Sequence, residues 1–81
     1  MAFEMYGDVI LNCDVPERDL RAGDVGTVVE RHSVPEVTEE GYSVEFFDMT
    51  GKTVAVVTLP GSVLRMPTPD DRPAVRVLRN A

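Results

Sequence analysis

Fourteen acidic against eight basic side chains, a net charge of −6 and one cysteine in 81 residues narrow the field before any motif is read. One hydrophobic core is all that this length supports. A content of 43% apolar and 27% charged residues belongs to a folded chain rather than a disordered one. A lone cysteine excludes an internal disulfide, and with a single histidine it excludes a standard structural zinc site. A domain this small buries only about 60% of its extended-chain surface, so association with a partner is expected to supply what the missing staples do not.

The opening residues hold Glu4 and no basic stretch leading into an apolar one, so no targeting signal is expected there. The longest apolar run, Val54 to Val57, is far short of a membrane span. These features, with no disulfide framework, give a cytoplasmic protein without membrane contact as the expectation. An isoelectric point near 4.5 argues against nucleic acid as partner, since phosphate binding needs clustered lysine and arginine. It suits a well-solvated protein or one whose partner is basic.

Glycines and prolines punctuate the chain too densely for a long helix. Between them lie runs rich in Val, Ile, Thr, Phe and Tyr that predict strands over Asp8–Asp14, Val25–His32, Tyr42–Asp48 and Thr53–Leu59. The connection Asp48-Met49-Thr50-Gly51-Lys52 predicts a hairpin between the last two. Asp14 to Asp24 is a polar loop with Leu20 as its expected anchor, and Ser33 to Gly41 is an acidic loop expected to be mobile. Gly61 to Leu64 predicts one helical turn, and Leu64-Arg65-Met66 a short fifth strand. About five short antiparallel strands, a long first loop and one turn before the last strand describe an all-β, small SH3-like barrel over residues 1–66, with an open sheet as its rival. Residues 67–81 form a Pro-rich spacer and short arm. The body carries five basic and twelve acidic side chains, net −7, and the arm three basic and two acidic, net +1.

The stretch Leu20-Arg21-Ala22-Gly23-Asp24-Val25-Gly26-Thr27-Val28-Val29-Glu30 is followed by Tyr42-Ser43-Val44-Glu45-Phe46-Phe47-Asp48. Thr53-Val54-Ala55-Val56-Val57-Thr58-Leu59 and Leu64-Arg65 complete the pattern, with Asp8-Val9-Ile10-Leu11 ahead of it. Over about residues 7–66 the chain resembles a family of small bacterial domains of unknown function with an acidic SH3-like fold. More distantly, Gly23 to Val29 resembles the KOW strand of ribosomal and transcription-factor barrels. The family resemblance implies a bacterial, cytosolic, non-enzymatic protein with a toxin–antitoxin type of partner. It implies no catalytic residue, and it does not reach the arm.

Read from the residues alone, Gly23 and Gly26 fit a turn into a strand where conformation or tight packing excludes a Cβ, and Asp24 bonds to nearby amides in that turn. No helix start or neighbouring lysine follows them, so they do not cradle phosphate. Cys13 and His32 are the only thiol and imidazole. As a catalytic pair they lack any oxyanion motif, and Cys13 reads as a small buried residue of a strand. His32 with Glu36, Glu39 and Glu40 matches no metal-binding spacing, and Asp70-Asp71 reads as solubilising charge in the spacer. No catalytic, cofactor-binding or metal-binding residue is therefore assigned, and no cofactor is expected. The aromatic groove of peptide-binding SH3 domains has no counterpart in a chain without tryptophan.

Alternation is the most informative feature. It places Tyr42, Val44 and Phe46 on one face with Ser43, Glu45 and Phe47 on the other, and Thr53, Ala55, Val57 and Leu59 opposite Val54, Val56 and Thr58. Val28 and Val29 cannot both point inward. One interior cannot take both sets, so Val29, Phe47, Val54 and Val56 are expected on an outer apolar patch that marks a protein interface. The rival explanation has the arm, through Val75 and Val77, folding back over that patch. The expected function is a non-enzymatic protein–protein interaction module. It would act as a homodimer or as the acidic, antitoxin- or immunity-like member of a two-protein module with a basic partner. The alternative is a KOW-like nucleic-acid-associated module using Arg72, Arg76 and Arg79.

Overall fold

The computed structural model describes residues 3–33 and 39–78. The fold is all-β. Strands β1 (Asp8–Leu11), β2 (Val25–His32), β3 (Gly41–Phe47), β4 (Thr53–Pro60) and β5 (Leu64–Arg65) form one antiparallel sheet in the order β4-β3-β2-β1-β5. A 3-10 turn at Gly61–Val63 precedes β5 where the glycine-proline punctuation placed a helical turn. A second 3-10 turn, at Pro16–Arg18 inside the first long loop, was not anticipated. β1 stops at Leu11 rather than at Asp14 because its neighbour β2 begins only at Val25. Leu11 meets the turn ahead of β2, donating to the Asp24 carbonyl and accepting from Gly23 N–H, each at 2.9 Å.

The sheet has to curl. Its outermost strands, β4 and β5, are joined only by the turn Gly61–Val63. The steps from Pro60 to Leu64 span roughly 13–14 Å even when extended, and less in a 3-10 turn at about 2 Å per residue. The edges of a flat five-stranded sheet would stand about 19 Å apart. The connection therefore pulls the two edges toward each other into a barrel-like form, although no strand pairing joins β4 to β5 among the described residues.

The concave side holds the core: Phe3, Val9, Leu11, Leu20, Val28, Tyr42, Val44, Phe46, Ala55, Leu59 and Leu64, with Val15, Val57 and Val63 half-buried against it. Leu20 reaches it from the first loop as its apolar character predicts, held by paired hydrogen bonds to Val15. Two bulges interrupt the ladders, one between Val28 and Glu30 on β2, the other between Phe46 and Phe47 where β4 has an extra residue at Val54. A bulge sets two residues against one and resets which face the strand presents. Thr53, counted with the inner face by simple alternation, accordingly lies opposite Phe47 on the outer one.

Candidate interaction surface

The register builds the convex face row by row. Thr27 lies between Asp8 and Glu45, and Glu45 faces Val56. One row further along, Ile10 lies between Arg65 and Val25, and Phe47 faces Thr53. Exposure is 49% for Val25, 45% for Phe47, 57% for Val54 and 48% for Val56. Of the residues expected on the patch, Val29 differs. It sits at the β2 bulge and is half-buried. Val25, which the parity argument left out, takes its place. Its signal was available: Gly26 and Val28 share the inward phase, which turns Val25 outward.

Acids stand among these apolar side chains and are held by hydroxyls. Thr27 Oγ1 donates to Asp8 at 3.3 Å, and Thr53 Oγ1 donates to Glu45. The other end of the same face is polar. His32 Nε2 lies 2.9 Å from Ser43 Oγ, which lies 2.9 Å from Thr58 Oγ1, linking β2, β3 and β4. Glu30 approaches that same nitrogen of His32 at 3.6 Å. Cys13 is exposed in the loop after β1, not buried in a strand as read from the sequence. No cluster of metal-ligating side chains occurs among the described residues. Nor is any helix long and apolar enough to cross a membrane.

The turn residues have separate causes. Gly23 has φ of +96°, a left-handed conformation that a side chain strains. Gly26 has ordinary φ but no room for a Cβ. Asp24 accepts from the Arg21 amide at 2.9 Å, and from Arg76 Nη2 at 2.6 Å and Nε at 3.1 Å. Partial burial alone would raise the Asp24 carboxyl. The Arg76 guanidinium and the Arg21 amide outweigh it and hold the group below its ordinary value.

The arm forms no strand among the described residues. It is tied down by two clamps. Arg65 makes a bidentate pair with Asp71 at 2.7 and 2.9 Å, and Thr68 donates its amide and hydroxyl to the same carboxylate. The second clamp is Arg76 on Asp24 and on the Asp19 carbonyl, over a hollow lined by Asp19, Arg21, Val77 and Leu78. Arg72 donates to the carbonyls of Pro69 and Asp71, and Arg79 lies outside the described residues. Ile10 lies in register between Arg65 and Val25. It faces outward by register yet is buried, and it does not belong to the core cluster. Its cross-strand partner Arg65 carries one clamp, and Asp24, next to its other partner Val25, carries the second. The clamps hold the arm at Arg65 and at Asp24, and Val25, Phe47, Val54 and Val56 stay exposed.

Hydrogen bonds from Arg65 and from Thr68 hold the Asp71 carboxyl well below the usual carboxylate range. Both clamp carboxylates are thus depressed below 3.8, their ordinary value. A depressed folded-state value stabilises the clamp above that pH and loses the effect as pH falls through the folded value. In an amide NMR titration the signals of Val75 and Val77 are expected to hold steady from neutral pH to about 4 and to move toward unstructured positions below it. Movement near pH 6 would contradict the two-carboxylate clamp.

The family model of the Domain of unknown function (DUF4926) matches residues 5–66. The chain belongs to this family. The match spans all five strands of the DUF4926 sheet and ends where the arm begins. Comparison with curated proteins and with solved structures gives no match. Within the DUF4926 region lie Val25, Phe47, Val54 and Val56, whereas Asp71 and Arg76, which clamp the arm, lie beyond it.

Proposed function

We propose that this protein is a non-enzymatic protein–protein interaction module, the small acidic member of a two-protein bacterial module of antitoxin or immunity type. The observation that carries the reading is that Val25, Phe47, Val54 and Val56 are left open on neighbouring rows of the convex sheet face, with Asp8 and Glu45 among them. Burying apolar side chains of this size is worth roughly 1.5–3 kcal/mol each before the cost of association, and a contiguous apolar patch of this kind marks a contact surface. The acids within it and the body's excess of negative charge favour a basic partner, speeding encounter while the apolar patch holds the complex. The Glu30–His32–Ser43 group adds to the non-enzymatic reading. Glu30 and Ser43 both approach Nε2, so the carboxylate does not orient the ring from Nδ1 as a catalytic triad requires.

Against the nucleic-acid alternative stands the engagement of Arg76 with Asp24 and of Arg72 with backbone carbonyls. The deciding experiment captures the bound protein with the full chain and then measures direct affinity for Phe47→Asp and for Met49→Asp, whose side chain stands exposed at the hairpin tip. Phe47→Asp is expected to lose about tenfold or more, with an unchanged circular dichroism spectrum, while Met49→Asp binds as the wild type does. Equal affinities for the two variants would remove the convex face from the contact.

A further inference from the structure

The two edges of the sheet are treated differently. β5 is two residues long, carries Arg65 and runs directly into the clamped arm. Short, charged and covered edges are how folded proteins prevent further strand addition. β4 is eight residues long, Thr53–Pro60, with no charged side chain. In an antiparallel ladder, alternate residues aim their N–H and C=O groups away from the partner strand. Those of β4 facing away from β3 make no hydrogen bond among the described residues. Only the bulge at Val54 and Pro60 guard its ends. Beside this edge lie exposed Val54 and Val56 on the convex face and half-buried Val57 on the concave one.

Charge says what fits there. Lys52, the single lysine of the chain, immediately precedes β4, and it makes no ion pair among the described residues. At the opposite end Ser62 N–H donates to the Glu39 carboxylate at 2.9 Å, and Gly61 N–H donates to the Glu40 carbonyl at 3.0 Å. Glu39 has no basic partner among the described residues. Lys52 and Pro60 are roughly 27 Å apart along the strand, so Lys52 and Glu39 cannot meet within one chain. Two antiparallel copies of β4 with Val56 on the axis set Lys52 of each against Pro60 of the other, beside Glu39. The seam between them is uncharged, so two chains of net −6 meet there without like charges opposed.

We infer that the occupant of the β4 edge is a second copy of this chain, paired antiparallel through β4 about a two-fold axis and locked at both ends by Lys52 against Glu39. Such an interface is self-complementary and closes on itself. The inference rests on the reading of the apolar face as a contact surface and assigns its β4 margin, leaving Val25 and Phe47 for the basic partner.

The test uses the full chain and light scattering from micromolar to millimolar concentration. The wild type is expected to dimerise. Lys52→Glu and Glu39→Lys should each weaken dimerisation by at least about tenfold. Mixed in equal amounts they should recover the wild-type mass, because both junctions then pair opposite charges. A wild type that stays monomeric, a mixture that stays monomeric, or variants that dimerise unaided would each overturn the inference. None of these outcomes bears on the Phe47→Asp affinity, so the two readings fail separately. Should Glu39→Lys not fold, amide exchange along β4 in the wild type decides. Protection that rises with concentration supports the dimer, and concentration-independent exchange refutes it.

Discussion

Gly26→Val is expected to destabilise the fold by about 3 kcal/mol, near the upper end of ordinary overpacking costs. Gly26 lies in the inward row between Val9 and Phe46. A Cβ built there would stand 2.5 Å from Val44 Cγ1, 2.9 Å from Phe46 Cε1 and 3.0 Å from the Glu45 carbonyl oxygen. Val44 and Phe46 are both buried, so neither can swing into solvent to make room. Even Gly26→Ala meets these contacts, and valine adds two methyl groups in the same space. Gly41 supplies the control: a Cβ there would meet nothing nearer than 3.8 Å among the described residues, so Gly41→Ala should stay within about 0.5 kcal/mol of wild type. Urea denaturation of the three alanine and valine variants checks the series. Equal midpoints for Gly26→Ala and Gly41→Ala would show that the core yields where the packing says it cannot.

Tyr42 anchors the other end of the core, and Tyr42→Ala is expected to cost about 3–5 kcal/mol, the usual range for deleting a large buried ring. The residue is 1% exposed and meets Phe3 edge-on, with ring centroids 5.1 Å apart. Its hydroxyl oxygen accepts the Phe3 N–H at 3.2 Å. Tyr42→Phe separates the two contributions. It keeps the ring and leaves a buried N–H without a partner, which costs about 1–3 kcal/mol. Stability of both variants by thermal or urea unfolding tests the division, with Tyr42→Phe falling between wild type and Tyr42→Ala. A stability of about 4–12 kcal/mol for a chain this long leaves little margin for Tyr42→Ala.

Legibility in the sequence followed the range over which each cause acts. β2 and the β3–β4 hairpin were readable because their signals are local: Gly23 and Gly26 before a Val-rich run, and Asp48 to Lys52 as a short turn. In that turn Asp48 accepts from the Thr50 and Lys52 amides. Leu20 was readable as an anchor because a lone leucine in a polar loop has one favourable destination. The faces were legible only as far as strict alternation held. The bulges at Val29 and Val54 each insert one residue, and alternation offers no sign of such a slip, so Thr53 changed face and Val29 left the patch, whereas the outward phase of Val25 lay within reach of alternation. The clamps were illegible for a different reason. Arg76 meets Asp24 and Arg65 meets Asp71 through tertiary placement of the arm, which no periodicity encodes. The edge status of β4, and with it the solitary Lys52, emerged only from the strand order.

The turn Gly61–Val63 has an effect that reaches across the molecule. A strand as short as Leu64–Arg65 has too few ladder bonds to find β1 from a distance. Tethered three residues behind β4, it searches almost no volume, so most of the entropy of bringing it to Leu11 has gone once β4 is in place. Order at the far margin is thus inherited from β4. Whatever steadies β4 also steadies the β1–β5 pair and the Arg65 end of the arm. By the reciprocity of linked equilibria, a fastened arm favours occupation of the β4 edge by the same factor.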